Sequence, residues 1–397
     1  MKLLVAVDAH IYRTPDGRHW CKSIYGYAFW KRYLIVFDDV RVVARMKDVK
    51  ETEENWLLMD GEHVEVYGIP FFQGPVQLAK KFCSIQRALH DVDMGCDAAL
   101  MRMPSPTASM VWRHLRRGIP LAGEVVFDFT DSLTHSNQNF IIRLLNRIQS
   151  KDLSRFCLTA NGVSYVTEKA IQEHYPSYAR LHGTSREHFE SSYSTIMLRD
   201  EAYTAPRNYT DLKKLTLVLS SVSMNSEKKG ERILISAVKK ARDRGYQADA
   251  VIIGDGSLRH AFEEYARMLG VKDYITFTGL LYTFDEVRSA MLKADIYVLP
   301  TLGEGLPRGI LEAMAIGLPV LSTPVGGIPE VIEERYLFSP TDADAFADEI
   351  CRLMDNPDEL TEMSEKNFRK SLEFRDEILQ QRRNVFYEQL KTLCNYM

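Results

Sequence analysis

The sequence predicts an α/β protein made of two Rossmann-like, doubly wound domains. Three observations predict it. Short apolar runs alternate with longer helical patterns along the chain, which is the signature of parallel sheets with helical crossovers. The chain has 397 residues, about the length of two domains of ordinary size. One window, 294–323, parses as strand, glycine-bearing loop, helix, glycine stop and strand.

In the first half the expected strands are Leu3–Val7, Leu34–Phe37, Val40–Ala44, Val64–Tyr67, Ala98–Met101, Val125–Phe127 and Gly162–Val166. Helical patterns lie between them, as at Gly74–Leu89 and Ser109–Arg117. The second half reads as strands Thr216–Ser220, Ala250–Ile253, Ile275–Thr278, Ile296–Leu299 and Val320–Ser322, with helices over 231–244, 257–269, 284–293 and 308–316. A polar, irregular stretch runs from His182 to Tyr209, and the linker is expected near its end. The division expected is 1–207 for the first domain and 208–374 for the second. A last helix within 375–397, with Phe386, Tyr387 and Leu390 at helical spacing, packs back on the first domain.

Composition excludes several classes. The net charge of −4 argues against a nucleic-acid binder, which carries a basic excess. Residues 1–205 hold 25 Lys+Arg against 24 Asp+Glu and the remainder 25 against 30, so only the second half is acidic. Six cysteines without CxxC spacing read as reduced thiols of a cytoplasmic protein. Met1–Asp8 is too short an apolar run for a signal peptide, and no run of 18 apolar residues exists. Basic and aromatic clusters at Arg18–Trp20, Phe29–Tyr33, Lys80–Lys81 and Trp112–Arg117 read as solvated helix faces or, alternatively, as a surface for anionic lipid headgroups. Asp91-Val-Asp93 reads as a solvated turn, and no metal site is expected.

The window 294–323 carries the chemistry. Pro307 suits a first helical turn, Gly317 a C-terminal stop, and Pro319 prevents continuation. The helix start then lies outside the carboxyl end of a parallel strand, where its free N–H groups and dipole favour a diphosphate. Glu304 and Glu312 cannot sensibly bind phosphate there. They suit sugar hydroxyls instead.

The string Pro300-x-x-x-Glu304-Gly-x-Pro307-(x4)-Glu312-Ala-Met-Ala-x-Gly317-x-Pro319-Val resembles the signature of family 4 glycosyltransferases, retaining enzymes of the GT-B fold. The resemblance covers most of 210–340. It implies two Rossmann-like domains facing across a cleft that closes over the donor. It implies that Glu304 contacts the donor sugar and Glu312 the ribose, and that the backbone of Gly305, Leu306, Pro307, Arg308 and Gly309 approaches diphosphate and sugar. It also implies that Lys229, in a Lys-Gly pair and set across the cleft, neutralises the diphosphate. It implies that the backbone at Gly279 and Leu280 borders the nucleotide base and that Gly254, in a strand-to-loop turn of the family's kind, also serves the donor, with simple turn chemistry as the alternative for both. The family's second cation, in a Gly-Arg pair, is replaced by Ser220-Ser-Val222, and Arg308 is the candidate substitute.

The first half departs further from the family. Its Gly-Gly pair is reduced to Gly17, followed by Arg18, and these are the candidate acceptor contacts. The donor-sugar histidine is absent near Val126–Asp128. Asp128 or Asp131 is the candidate replacement, with a helix-cap role as the alternative, and His135 follows. The resemblance implies transfer of a hexose-type sugar from a nucleotide sugar to a glycan or lipid-linked acceptor in bacterial polysaccharide assembly. It implies no cofactor and no metal, in the cytoplasm or peripherally at the inner face of the membrane through the N-terminal domain. Two other readings stay open: a nucleotide-sugar 2-epimerase of the same fold, and a non-catalytic nucleotide-binding subunit.

Overall fold

A computed structural model describes residues 1–128 and 140–396. They form two compact units. Residues 1–127, 140–193 and 380–396 belong to the first, and 194–379 to the second, with which Asp128 is counted.

The first unit is a parallel sheet of β1 (Lys2–Arg13), β3 (Asp39–Asp48), β5 (Val64–Pro70), β6 (Ala98–Met103), β7 (Leu121–Val125), β8 (Gly162–Tyr165) and β9 (Phe189–Ser192), in the order β5-β3-β1-β6-β7-β8-β9. The short strands β2 (His19–Cys21) and β4 (Leu57–Leu58) add an antiparallel extension to the far end of β1. The helices are α1 (Tyr27–Leu34), α2 (Gly74–Ala88), α3 (Pro106–Trp112), α4 (Phe140–Thr159), α5 (Ala170–His174) and α6 (Tyr178–His182). The last helix of the chain, which begins in the second unit, ends in this one.

Two expected strands are corrected here. Leu34–Phe37 is the end of α1 and the turn after it, because Phe29, Trp30 and Tyr33 bury at helical spacing and Tyr33 accepts the amides of Val36 and Phe37. The strand expected at Val125–Phe127 lies earlier, at β7. Its acidic Glu124 hides the strand in the sequence, yet Glu124 is buried because Arg102, Tyr33, Tyr193 and Tyr387 all donate to it. Phe29, Trp30, Arg32 and Tyr33 of the Phe29–Tyr33 cluster are therefore core, and of its residues only Lys31 is exposed. Asp93 is likewise buried, accepting the Arg116 amide at 2.8 Å.

The second unit is a five-stranded parallel sheet of β10 (Leu215–Ser223), β11 (Ala248–Asp255), β12 (Ile275–Gly279), β13 (Ile296–Val298) and β14 (Val320–Leu321). Its order is β12-β11-β10-β13-β14. The crossovers are α7 (Glu231–Asp243), α8 (Arg259–Met268), α9 (Phe284–Leu292) and α10 (Arg308–Ala315), followed by α11 (Ala343–Met354), α12 (Pro357–Ser371) and α13 (Asp376–Leu393). The five strands and α7 to α10 match the expected elements to within three residues at either end. Strand order reverses between β10 and β13, since β11 and β12 fill one side of β10 before the chain returns to the other. That reversal is the switch point at which open α/β sheets bind ligands.

Residues 194–207, expected in the first domain, belong to the second unit. The guanidinium of Arg207 donates to the carbonyls of Ile316, Ala294 and Leu292, and Tyr209 to that of Asp295. Tyr203 donates to the Ser371 carbonyl, and the Asp376 amide to that of Leu198. The helix α13 spans the division at 379/380. Its Phe386, Tyr387 and Leu390 are fully buried, as their spacing predicts.

Candidate active site

Two loops at the carboxyl edge of the second sheet build the site. The loop after β10 ends in Lys228-Lys229-Gly230, and the loop after β13 runs from Pro300 to Pro307. They are tied by backbone: the Leu302 amide donates to the Lys228 carbonyl at 2.8 Å, and the Thr301 hydroxyl to the same oxygen at 3.1 Å. Gly230 caps α7 with φ +81°, and a Cβ there would stand 2.1 Å from the Pro300 carbonyl oxygen. The Lys-Gly pair thus has a physical reason. Only glycine allows the left-handed turn against the neighbouring loop.

The loops bring Lys229 and Glu304 into a direct ion pair, Nζ to Oε1. Glu304 is buried at 9% exposure, Lys229 is half-exposed, and the Thr301 hydroxyl donates to the same Oε1 at 3.3 Å. This corrects the expectation that Lys229 faces Glu304 across a cleft, because adjacent loops of one unit hold both. Lys228 is half-buried. Burial pushes its ammonium pKa down, while the Glu304 charge opposes the shift.

The helix α10 begins beside this pair. Pro307 is its N-cap, one place before the first helical turn, and no side chain caps the start. Arg308 stands exposed on the first turn. Gly309 is packed against Tyr297, whose hydroxyl oxygen would lie 2.3 Å from a Cβ, so its smallness serves helix–strand packing. Gly305 holds the loop below: its carbonyl accepts the Gly327 amide at 2.6 Å. Leu306 is buried. Glu312 lies further along α10, lining a small pocket with Phe284, Val287, Arg288 and Met291. Burial raises its carboxyl pKa, and Arg308 partly opposes that.

The sequence reading missed three groups around Glu304. These are Thr301, Thr323, whose hydroxyl donates to the Thr301 carbonyl at 2.8 Å, and Gly326. Gly326 has φ +53°, and a Cβ on it would stand 2.2 Å from the Glu304 carbonyl oxygen. The signal was present as a Gly326-Gly327 pair closely following β14.

Other expected residues lie elsewhere. Gly254 and Gly279 stand at the ends of β11 and β12, in register with each other, and the half-buried Leu280 follows. Gly254 abuts the Ser221 carbonyl. Gly17 and Arg18 form the exposed turn between β1 and β2, because β1 continues to Arg13 rather than ending at Val7. Asp128 is buried just past β7. Asp131 and His135 lie outside the described residues.

These features bring an ammonium, a carboxylate and an uncapped helix start together at one sheet edge. Residues 214–356 match the family Glycosyl transferases group 1. Among curated proteins the chain is similar to Protein CapJ of Staphylococcus aureus, 26% identical over 86% of this chain and 83% of that protein. It is 34% identical to the amylovoran biosynthesis glycosyltransferase AmsK of Erwinia amylovora, over 34% of this chain and 36% of that protein. Among solved structures it is similar to Anabaena Alr3699/HepE in complex with UDP and glucose, with a TM-score of 0.64 and 19% identity over 99% of this chain and 100% of that one. The family match over 214–356 and the shared GT-B fold support a glycosyltransferase of the group 1 type.

Glu231 gives this site a measurable pH dependence. It is fully buried at the start of α7, its Oε1 accepts the Ser221 hydroxyl at 2.6 Å, and its Oε2 has no hydrogen-bond partner. Burial raises its pKa. A folded-state pKa above the unfolded value means that stability is lost as pH rises through that interval. The Glu231→Gln variant is therefore expected to be more stable than the parent at pH 8, by about 1.4 kcal/mol per unit of displacement. The difference should vanish near pH 4. Denaturant unfolding at both pH values measures this, and a pH-independent difference would contradict it.

Proposed function

We propose that the chain is a retaining hexosyltransferase that uses a nucleotide-sugar donor and a glycan or lipid-linked acceptor in bacterial surface polysaccharide assembly. The observation that carries this reading is the Lys229–Glu304 pair beside the uncapped start of α10, at the switch point of the second sheet. A diphosphate at that point receives the α10 amides and competes with Glu304 for Lys229. Glu304, released from the ammonium, accepts hydrogen bonds from sugar hydroxyls. The likeness to AmsK, named for amylovoran biosynthesis, and to HepE, solved with UDP and glucose, supports donor and pathway class.

In the proposed reaction the acceptor hydroxyl attacks the anomeric carbon on the face from which the diphosphate leaves. The C–O bond to the diphosphate breaks, the new glycosidic C–O bond forms, and a departing phosphate oxygen takes the acceptor proton. The protein supplies position and charge stabilisation, and no metal or cofactor is required. Glu312 serves the ribose, the Gly254, Gly279 and Leu280 strand ends the base, Asp128 the donor sugar in place of the family's histidine, and Gly17 and Arg18 the acceptor.

Glu304→Ala and Lys229→Ala are each expected to lower turnover at least about a hundredfold, with far-UV circular dichroism unchanged. A panel of UDP-, GDP- and ADP-sugars read for free nucleotide, transfer product and 2-epimer tests the class. Parental activity in either variant removes the site assignment. Formation of a 2-epimer, or binding without turnover, removes the transferase reading.

Peripheral membrane contact is proposed for α2, where Lys80 and Lys81 are exposed beside Val76 and Phe82, themselves 66% and 51% exposed. Co-sedimentation with anionic but not neutral liposomes is expected, and equal recovery with both overturns it.

A further inference from the structure

In the first unit, β1 runs on past the core of its sheet into a small ribbon. After a register shift between Ala6 and His10, its residues His10–Arg13 pair in parallel with Arg45–Asp48 of β3. On the other side Ile11–Arg13 pair antiparallel with β2, which in turn carries β4. Lys47 and Trp20 stand opposite Tyr12 from the two neighbouring strands, so the three share one face. The Arg18–Trp20 cluster therefore lies on a turn and a strand, not on a helix.

That face is aromatic and basic at once. Trp56 lies against Tyr12 with ring centroids 4.4 Å apart, and Phe71, just past β5, meets His10 edge-on at 4.9 Å. Tyr12 is the buried floor, while Trp56 and Phe71 are half-buried and keep ring surface exposed. Lys22 Nζ stands 4.9 Å from the Trp56 ring, and Lys47 Nζ stands 5.2 Å from both the Tyr12 and Phe71 rings. Lys22 pairs with Glu53 at 2.6 Å, and Arg45 pairs with Asp8. Lys47 is exposed, and among the described residues it makes no ion pair and donates no hydrogen bond. Its ammonium lies against ring faces with its three donors open. His10 feels the same positive excess: burial lowers its pKa first, Arg45 and Lys47 lower it further, and Asp8 opposes them. The ribbon continues the carboxyl ends of β1 and β3, the edge on which parallel sheets bind ligands.

We propose that this face, with Trp56 and Phe71 as its rings and Lys47 as its cation, binds an anionic sugar, one that bears a carboxylate or phosphate. A pyranose has an apolar C–H face that lies flat on an aromatic ring, and its charged substituent then reaches the ammonium. Stacking alone accepts neutral sugars, and Lys47 adds the discrimination. Gly17 and Arg18, in the turn that joins β1 to β2, belong to the same ribbon. As the acceptor site of the proposed transfer, a role that rests on that reading, the ribbon gives the acceptor a chemical class. The net charge of −4 disfavours a nucleic acid in the same place.

The test is isothermal titration calorimetry on the full chain, without nucleotide sugar and at fixed, low ionic strength. Two probes are compared: tetragalacturonate, with a carboxylate on every ring, and neutral maltotetraose. Tetragalacturonate is expected to bind at least about tenfold more tightly. Lys47→Met should remove that difference by weakening the charged probe alone, and Lys47→Arg should restore most of it. Trp56→Ala should weaken both probes, with circular dichroism unchanged in every variant. Equal affinity for the two probes, no binding of either, or a preference that survives Lys47→Met overturns the proposal. Because no donor is present, these outcomes do not depend on the transfer reaction. A preference lost in Lys47→Met, in a chain that transfers no sugar from any donor, keeps the sugar site and removes only its acceptor role.

Discussion

Lys229 and Glu304 meet where the second sheet reverses its strand order, and the surrounding loops exist in the form that this contact requires. β10 supplies the ammonium and β13 the carboxylate. Both strands are parallel and adjacent, so their following loops emerge on the same edge. Gly230 lets one loop turn against the Pro300 carbonyl, and Gly326 lets a third loop close beneath Glu304. Thr301 and Thr323 then lock the layers through backbone carbonyls. An ion pair between a buried carboxylate and a half-exposed ammonium is partly desolvated, so its worth depends on this framework rather than on charge alone.

The pair also has a chemical consequence. The ammonium suited to a diphosphate is held by the carboxylate suited to a sugar. A ligand carrying both groups can satisfy both partners at once, whereas a free sugar leaves Lys229 competing for Glu304. Under the proposed function, this arrangement favours a ligand that carries phosphate and sugar in one molecule. The helix start of α10, with Pro307 as its cap and no side chain over its amides, lies beside the pair.

Much of the second unit was legible in the sequence. Its central strands are largely buried apolar runs, its helices carry clean periodicity, and Gly230, Pro307 and Gly317 punctuate them where backbone geometry demands. The first unit was less legible because its core is partly polar. Glu124 and Arg102 interrupt the apolar pattern of two central strands, and their compensation comes from Tyr33, Tyr193 and Tyr387, which are distant in sequence. Arg32 within Phe29–Tyr33 misled in the same way: a basic, aromatic segment looked like a surface yet packs inside. At the site, Glu304, Lys229 and the helix start were readable from local motifs. The direct pairing of Lys229 with Glu304, and the support from Thr301, Thr323 and Gly326, depend on which strands lie side by side, which local motifs do not specify.

The central claim is that the Lys229–Glu304 pair and the start of α10 together form the donor diphosphate and sugar site. A crystal structure with a non-transferable nucleotide-sugar analogue tests it most directly. The account expects the diphosphate against the amides that open α10, with Lys229 turned from Glu304 onto phosphate oxygens and Glu304 on sugar hydroxyls. An analogue bound with the Lys229–Glu304 pair intact and its diphosphate away from α10 would contradict it.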